Sequence, residues 1–257
     1  AVPQAFLQLQ HHQYGVKAGL LLTLAGIELY ESPKDFNFSR SILDGYAQPG
    51  SHLGIRGVDN WNDHLSLILG VGNGWSTIRQ PYKQNHFECG INYNAPHIFN
   101  ILVNGYSGLQ YLTDRAGSGP TSRRNLLDIF GTLYITEKLN LAANYDYAMQ
   151  NQAALANGSI GKATWQGIAG YINYQWAEKW LTSLRSEILA DTQGYRTGVR
   201  QNWREITLTL RYFPVKALEF RAETRHDFSN VNAFRSKSGT AAYNNQQSFG
   251  LEGIYNF

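Results

Sequence analysis

The sequence is poor in the residues and segments on which several common protein classes depend. It has 257 residues but one cysteine, Cys89, which excludes an internal disulfide and a cysteine metal centre. Its most apolar stretch, residues 19–25, is far shorter than the roughly 18 residues of a membrane-spanning helix. Basic and acidic residues nearly balance, 22 against 19, and no basic run exceeds the pair Arg123-Arg124. Nucleic acid is therefore not an expected partner.

Glycine and aromatic residues are abundant, with 25 Gly, 16 Tyr and 6 Trp. Hydrophobic residues make up 43% of the chain, and the mean hydropathy is −0.36. A transmembrane β-barrel has this balance because only every second strand residue faces lipid. The length suits one large β-domain over residues 1–257.

Strand-like segments separated by turn signals recur along the whole chain. Most are about ten residues long, which is the length of a tilted membrane-crossing strand. We predict thirteen of them, at residues 4–11, 14–25, 51–59, 64–73, 86–94, 97–106, 125–136, 138–149, 164–176, 179–190, 202–213, 217–227 and 247–257. The fold class predicted is all-β, a transmembrane antiparallel up-and-down β-barrel.

The connections between these segments alternate strictly between short and long. The short ones have one to four residues, and the long ones are 26–50, 74–85, 107–124, 150–163, 191–201 and 228–246. Outer-membrane barrels have short periplasmic turns and long extracellular loops, so the alternation favours them over a Greek-key sandwich.

The final segment, 249–257, alternates apolar and polar residues and stops on an aromatic residue. We interpret Phe249, Leu251, Tyr255 and Phe257 as the signal that the barrel-assembly machinery reads. If this strand ends in the periplasm, a barrel of thirteen strands has the start of its first strand on the extracellular side. Single-chain bacterial barrels have an even number of strands, so we expect one or more N-terminal strands to be missing and about fourteen to sixteen in all.

Period-two alternation assigns charged residues to one face of the strands and apolar residues to the other. In 217–227, for example, Glu219, Arg221, Glu223 and Arg225 oppose Leu218 and Phe220. An arginine facing lipid at the midplane costs about 2–4 kcal/mol, so the charged face should line a wet interior. The pore-lining candidates are Arg56, Glu88, Asp128, Arg185, Glu187, Glu205, Arg211, Glu219, Arg221, Glu223, Arg225 and Glu252. These residues would either set the ion preference of the channel or pair across strands and stabilise the barrel wall.

The longest connection, 26–50, is unusually aromatic for a solvated loop. We hypothesise that it folds inward and narrows the pore through Phe36, Phe38, Arg40 and Tyr46, with Arg40 facing solutes. The alternative is an extracellular cap on neighbouring loops.

Enzymatic and metal-binding patterns are weak. His226 and Asp227 are adjacent on a strand and so point to opposite faces, and His11-His12 has no carboxylate at a ligand spacing. We predict no catalytic residue, no metal site and no cofactor.

The sequence resembles the OmpL-like outer-membrane β-barrel porins over nearly its whole length. The matching segments are residues 37–42, 70–75, 139–147, 164–176 and 194–198 and the closing strand. The resemblance implies a diffusion channel, and additional strands before residues 4–24. We expect an integral outer-membrane protein that contacts lipid and passes small hydrophilic solutes or ions. Whether the protein self-associates or binds a partner protein stays open. The alternative function is that of a plugged structural barrel without an open pore.

Overall fold

The chain forms one large antiparallel β-sheet whose strands follow each other in sequence order. The computed structural model describes residues 2–30, 32–76, 84–112, 120–236, 239 and 242–256. The sheet of the described residues contains thirteen strands, and two further short strands near the carboxyl end of the chain pair separately with each other. Within the described ranges, no helix has the length and apolar character that crossing a membrane would require.

The strands are longest in the middle of the sheet. Their bounds are β1 Ala5–His11, β2 Tyr14–Leu21, β3 His52–Asn60, β4 Leu65–Gly72, β5 Asn85–Ala95, β6 Phe99–Tyr111, β7 Thr121–Tyr134, β8 Leu139–Ala154, β9 Ile160–Ala177, β10 Trp180–Asp191, β11 Gln201–Val215, β12 Leu218–Ser229, β13 Phe234–Arg235, β14 Ala242–Tyr243 and β15 Asn245–Tyr255. This architecture is the predicted all-β, antiparallel, up-and-down arrangement.

Side chains alternate between a buried face and an exposed face along each strand. On β9, Trp165, Ala169 and Tyr171 are buried, whereas Ile168 and Ile172 are 52% and 46% exposed. The exposed face is therefore the apolar one, as lipid requires, and the charged residues lie on the inside. Cys89 lies on the outer face.

Aromatic side chains gather on the outer face near the short turns. Tyr93 stacks on Phe99, and Trp180 stacks on both Trp176 and Tyr212. Their amphipathic rings are suited to the level of the lipid headgroups.

Two predicted loops are shorter in the structure than the sequence suggested. The expected loop 107–124 is shortened at both ends, because β6 continues to Tyr111 and β7 begins at Thr121. Likewise β8 continues to Ala154, and β9 begins at Ile160. Polar inner-face residues sustain these extensions: the Gln150 amide donates to the Tyr111 carbonyl at 2.8 Å. In contrast, β2 ends at Leu21 rather than residue 25.

The sheet's two edge strands, β1 and β15, run in the same direction because they are first and thirteenth in an antiparallel series. No backbone pairing joins these two strands within the described residues. The expectation of further strands, and of one barrel domain over residues 1–257, stays a prediction.

Candidate functional site

The segment between β2 and β3, described at residues 22–30 and 32–51, lies against the inner face of the sheet. It contains a 3₁₀ turn at Ser32–Lys34 and a π-helical turn at Leu43–Ala47. Ile42, Leu43 and Ala47 are almost completely buried and share a hydrophobic cluster with Trp165 and other wall residues. This segment, hereafter the inner loop, therefore packs against the inner face of the sheet and does not form a cap over its end.

Wall carboxylates accept hydrogen bonds from the backbone of the inner loop. Glu223 accepts from the Phe38 and Ser39 N–H groups at 2.7 and 2.9 Å. Glu187 accepts from the Ile42 and Leu43 N–H groups at 2.6 and 3.0 Å. Such charge-assisted bonds to backbone N–H groups are strong, so they fix the path of the loop.

Wall arginines complete this attachment by donating to loop carbonyls. Arg185 donates to the Ser39 carbonyl at 2.7 Å, and Arg225 donates to the Arg40 carbonyl at 2.6 Å. Arg221 donates to the Asn37 carbonyl at 3.3 Å. Wall residues of both charge signs therefore bind the loop, which is consistent with the alternation of acidic and basic residues on the inner face of β12.

The loop also contributes a carboxylate of its own. Glu28 accepts from Arg185 at 2.7 Å, from the Tyr171 hydroxyl at 3.2 Å and from the Ser41 N–H at 2.9 Å. It thereby joins the two halves of the loop to the wall.

The twelve pore-lining candidates share the inner face of the sheet. Ten are buried beneath the loop or by one another, and the two that are partly exposed are Arg225 and Glu252. Arg185 pairs with Glu205 at 2.6 Å, while Arg211 and Arg221 both pair with Glu219, at 2.5 and 2.6 Å.

Three other candidates lie on the inner face of β3, β5 and β7. Arg56 binds Glu88 at 2.6 Å, and Asp128 accepts from Asn104 at 2.5 Å and from the Gly26 N–H at 3.2 Å. Paired and covered charges of this kind hold the wall and the loop, and they offer little free charge to a passing ion.

The four constriction-loop candidates fall into two pairs. Phe36 packs against Tyr171, and Tyr46 lies 5.1 Å from the Trp203 ring, so both contribute to packing. Phe38 is 41% exposed, and the Arg40 side chain is 35% exposed. Phe38 is thus the exposed candidate, whereas Phe36, Arg40 and Tyr46 are half-buried.

Phe38 rests directly on β15. A Cβ placed on Gly250 would lie 2.6 Å from its Cε1 atom, so glycine is what allows the ring to approach this strand. The tip of the inner loop, around Phe38, therefore lies against both β12 and its neighbour β15.

Two aspartates of the loop have raised pKa values. Burial raises the pKa of Asp35 to about 7, against the opposing effects of the Leu29 N–H group and of Arg40, which lies 2.6 Å away. Burial, together with nearby Glu28, raises the pKa of Asp44 to about 6. Both groups take up protons more readily than ordinary aspartates, which makes the loop's packing sensitive to pH.

The part of the inner face that the loop leaves uncovered is polar and largely uncharged. Gln8 and Gln10 on β1, and Gln246 and Ser248 on β15, face inward and are exposed. Nearer the short turns the inner face carries half-buried amides and a hydroxyl, on Asn92, Asn100, Thr132 and Asn140. This surface is suited to contact with water.

Sequence reasoning missed several residues that build the site. Glu28, Asn37 and Gln48 lie in the loop: Asn37 donates to Thr209 at 2.7 Å, and Gln48 donates to Asp146 at 2.8 Å. The signal that could have found them is the number of polar residues in a segment that also carries aromatic and aliphatic side chains. His52 and His86 were also missed, although His86 and Glu88 share one strand face.

The assembly-signal residues lie on the last strand. Phe249, Leu251 and Tyr255 are 71%, 71% and 65% exposed on the outer face of β15. Phe257 lies outside the described residues. The reading of this strand by assembly machinery stays a prediction.

The fold is that of outer-membrane porin barrels. The chain superposes on the anion-selective porin from Comamonas acidovorans with a TM-score of 0.71 and 10% identity, covering 99% of this chain and 77% of that one. OmpT of Vibrio cholerae, in a trimer form, gives a TM-score of 0.69 at 14% identity, with coverage of 99% and 80%. The channel DcaP of Acinetobacter baumannii gives 0.68 at 10% identity, with coverage of 98% and 74%. No curated protein matches the sequence significantly.

The whole chain, residues 1–257, matches the family described as beta-barrel porin-2, OmpL-like, and it belongs to that family. The fold, the family and the outer-membrane setting are thus those expected from the sequence. The protein is an outer-membrane β-barrel of the porin type.

Proposed function

We propose that this protein is a passive diffusion channel for small hydrophilic solutes or ions, in which the inner loop forms the constriction. The observation that carries the proposal is the attachment of residues 26–48 to the inner wall, beside an uncovered inner face of amides and hydroxyls. A loop held within a porin barrel reduces the cross-section without sealing it where polar wall remains exposed.

The charge pattern supports weak ion selectivity. Most wall charges are paired and buried, and Arg40 faces Asp35 at 2.6 Å. Exposed rings of one sign are what strong selectivity requires, and mixed pairs produce a small net field. The anion selectivity of the Comamonas porin belongs to that protein and is one of the outcomes that reversal potentials can reveal here.

The proposal extends to the partners of the protein and to the absence of catalysis. The apolar outer face contacts outer-membrane lipid, β15 presents the signal to the assembly machinery, and self-association is supported by the trimeric form of a similar barrel. Diffusion needs no catalysis and no cofactor, so we assign the protein no enzymatic activity.

Single-channel conductance in a planar bilayer tests this function. The folded protein should give stable conductance steps, and deletion of residues 34–47 should enlarge them because the covered wall opens to water. Migration before and after heating on a denaturing gel verifies that both proteins are folded. A folded barrel without steps would reject the channel and favour a plugged structural barrel, whereas unchanged steps after the deletion would reject the constriction.

A further inference from the structure

Three potential metal ligands meet on the inner wall near the long-loop ends of β3 and β5. His52 is the first residue of β3, and His86 and Glu88 lie two residues apart on β5. The Nε2 atom of His52 lies 3.4 Å from the Glu88 Oε2 atom, and that of His86 lies 3.9 Å from the same oxygen. The three side chains are at most 1% exposed, and their ligand atoms lie within 4.8 Å of one another.

The ring nitrogens of both histidines have long contacts to Glu88 but no well-formed hydrogen bonds. None of the four nitrogens makes a hydrogen bond of good geometry to any residue in the described part of the chain. The two rings instead meet edge to face with their centroids 4.4 Å apart. Poor hydrogen bonding of a buried polar group is costly, so two adjacent imidazoles of this kind are suited to an additional binding group.

The intervening strand β4 makes room for the cluster through glycine. A Cβ on Gly72 would lie 2.3 Å from the His86 Cε1 atom and 2.8 Å from the His52 Cδ2 atom. A Cβ on Gly70 would lie 2.4 Å from the Glu88 Oε1 atom. The two histidines and the carboxylate can therefore converge only because this face of β4 carries glycine at positions 70 and 72.

The donor set matches a transition-metal site. Two imidazoles and one carboxylate are a recurrent zinc ligand set, and ligands about 2.1 Å from a tetrahedral centre lie about 3.4 Å apart. The observed separations of 3.4 and 3.9 Å approach this value. We propose that His52, His86 and Glu88 bind a divalent metal ion of the zinc class through both Nε2 atoms and Glu88 Oε2.

Arg56 orients the carboxylate for this role. Its Nε atom donates to Glu88 Oε1 at 2.6 Å and its Nη2 atom to Oε2 at 3.1 Å, an outer-shell arrangement that fixes a ligand's position. Because two of the three ligands are imidazoles, Zn²⁺, Cu²⁺ or Ni²⁺ should bind, and the oxygen-preferring Mg²⁺ or Ca²⁺ should not. Arg56 Nη2 also donates to the Leu22 carbonyl at 2.8 Å, which places the site beside the start of the inner loop.

Metal binding by the folded, untagged and chelator-stripped protein tests the proposal. Zn²⁺ alone is titrated in competition with a chromophoric chelator, in detergent. We expect one equivalent to bind, with affinity falling at least about tenfold in each of His52→Gln and His86→Gln, because even outer-shell changes cost that much. The double change His11→Gln and His12→Gln, at an exposed turn, is the matched control and should leave the affinity unchanged.

A second measurement protects the test against a folding failure in the histidine variants. Co²⁺ added to the unmodified protein should produce the intense visible absorption of a tetrahedral centre, and Zn²⁺ should abolish it. Equal Zn²⁺ affinity in all variants, or binding lost only in the control, would overturn the proposal. So would the absence of both stoichiometric binding and Co²⁺ absorption in a folded protein. Metal binding is measured independently of conduction, so a protein that conducts no ions could still confirm the metal site.

Discussion

Replacing Glu223 with alanine should release the tip of the inner loop from the wall. The Glu223 side chain accepts three hydrogen bonds, from the Phe38 N–H at 2.7 Å, the Ser39 N–H at 2.9 Å and the Thr209 hydroxyl at 2.7 Å. Hydrogen bonds to a charged group contribute about 1.5–3 kcal/mol each. The two that hold the loop backbone therefore contribute about 3–6 kcal/mol to its docking.

A loss of about 4 kcal/mol shifts the equilibrium between the wall-bound and released states of the loop tip about a thousandfold toward the released state. The Arg185 and Arg225 bonds to the Ser39 and Arg40 carbonyls remain, so the tip should fluctuate rather than leave the lumen. In single-channel recordings we therefore expect excursions to a larger conductance that the unmodified protein shows rarely.

Two further variants make the result specific. Glu223→Gln keeps one acceptor oxygen and should give an intermediate frequency of excursions. Glu137→Gln removes the same charge from an exposed short turn and should record like the unmodified protein. If folded Glu223→Ala records like Glu137→Gln, the carboxylate does not hold the loop, and the reasoning fails.

The hydrophobic attachment and the aspartates of the loop lead to two other predictions. Trp165 is 1% exposed and its Nε1 donates to the Ala47 carbonyl at 3.0 Å, so Trp165→Ala should cost about 3–5 kcal/mol of unfolding free energy. Trp165→Phe should cost less unfolding free energy than Trp165→Ala. Denaturant unfolding in detergent measures the loss in each variant, and equal losses would contradict this packing. Burial raises the Asp44 pKa from 3.8 to about 6, so the docked loop binds more protons than the released loop between these pH values. Docking should weaken by at most about 3 kcal/mol as the pH rises through this window, with more conductance excursions at pH 7.5 than at pH 4.5. Asp44→Asn should reduce that difference, and an unchanged difference would exclude Asp44 as its source.

The strands and their faces were predictable because lipid and water act on each residue separately. On β12, Glu219, Arg221 and Glu223 alternate with Phe220 and Ala222, and no other assignment keeps the charges out of lipid. The turns were predictable for a similar reason, since their residues break the alternation locally. Loop ends were less certain: Gln150 and Tyr111 are polar or amphipathic, and only their pairing with residues of β7 shows that they continue the strands.

The role of the wall charges depended on contacts that lie far apart in sequence. Glu187 and Ile42 are separated by 145 positions, and Glu223 and Phe38 by 185. Alternation placed these glutamates on the inner face but could not distinguish a charge facing water from a charge that binds a loop backbone. The histidine cluster escaped notice for the same reason, because His52 and His86 meet only through the register of β3, β4 and β5.

The sequence by itself determined the class of the protein: alternating strands, short and long connections and family motifs specify an outer-membrane porin barrel. These features are local, with a period of two residues and turns of a few residues, so they can be read without knowing which strand meets which. Only the tertiary structure decided where the inner loop lies, which charges it covers and which side chains remain open to water. Those properties arise from pairing between distant segments, since a loop of this length can fold inward or outward and only its partners on the wall select between the two.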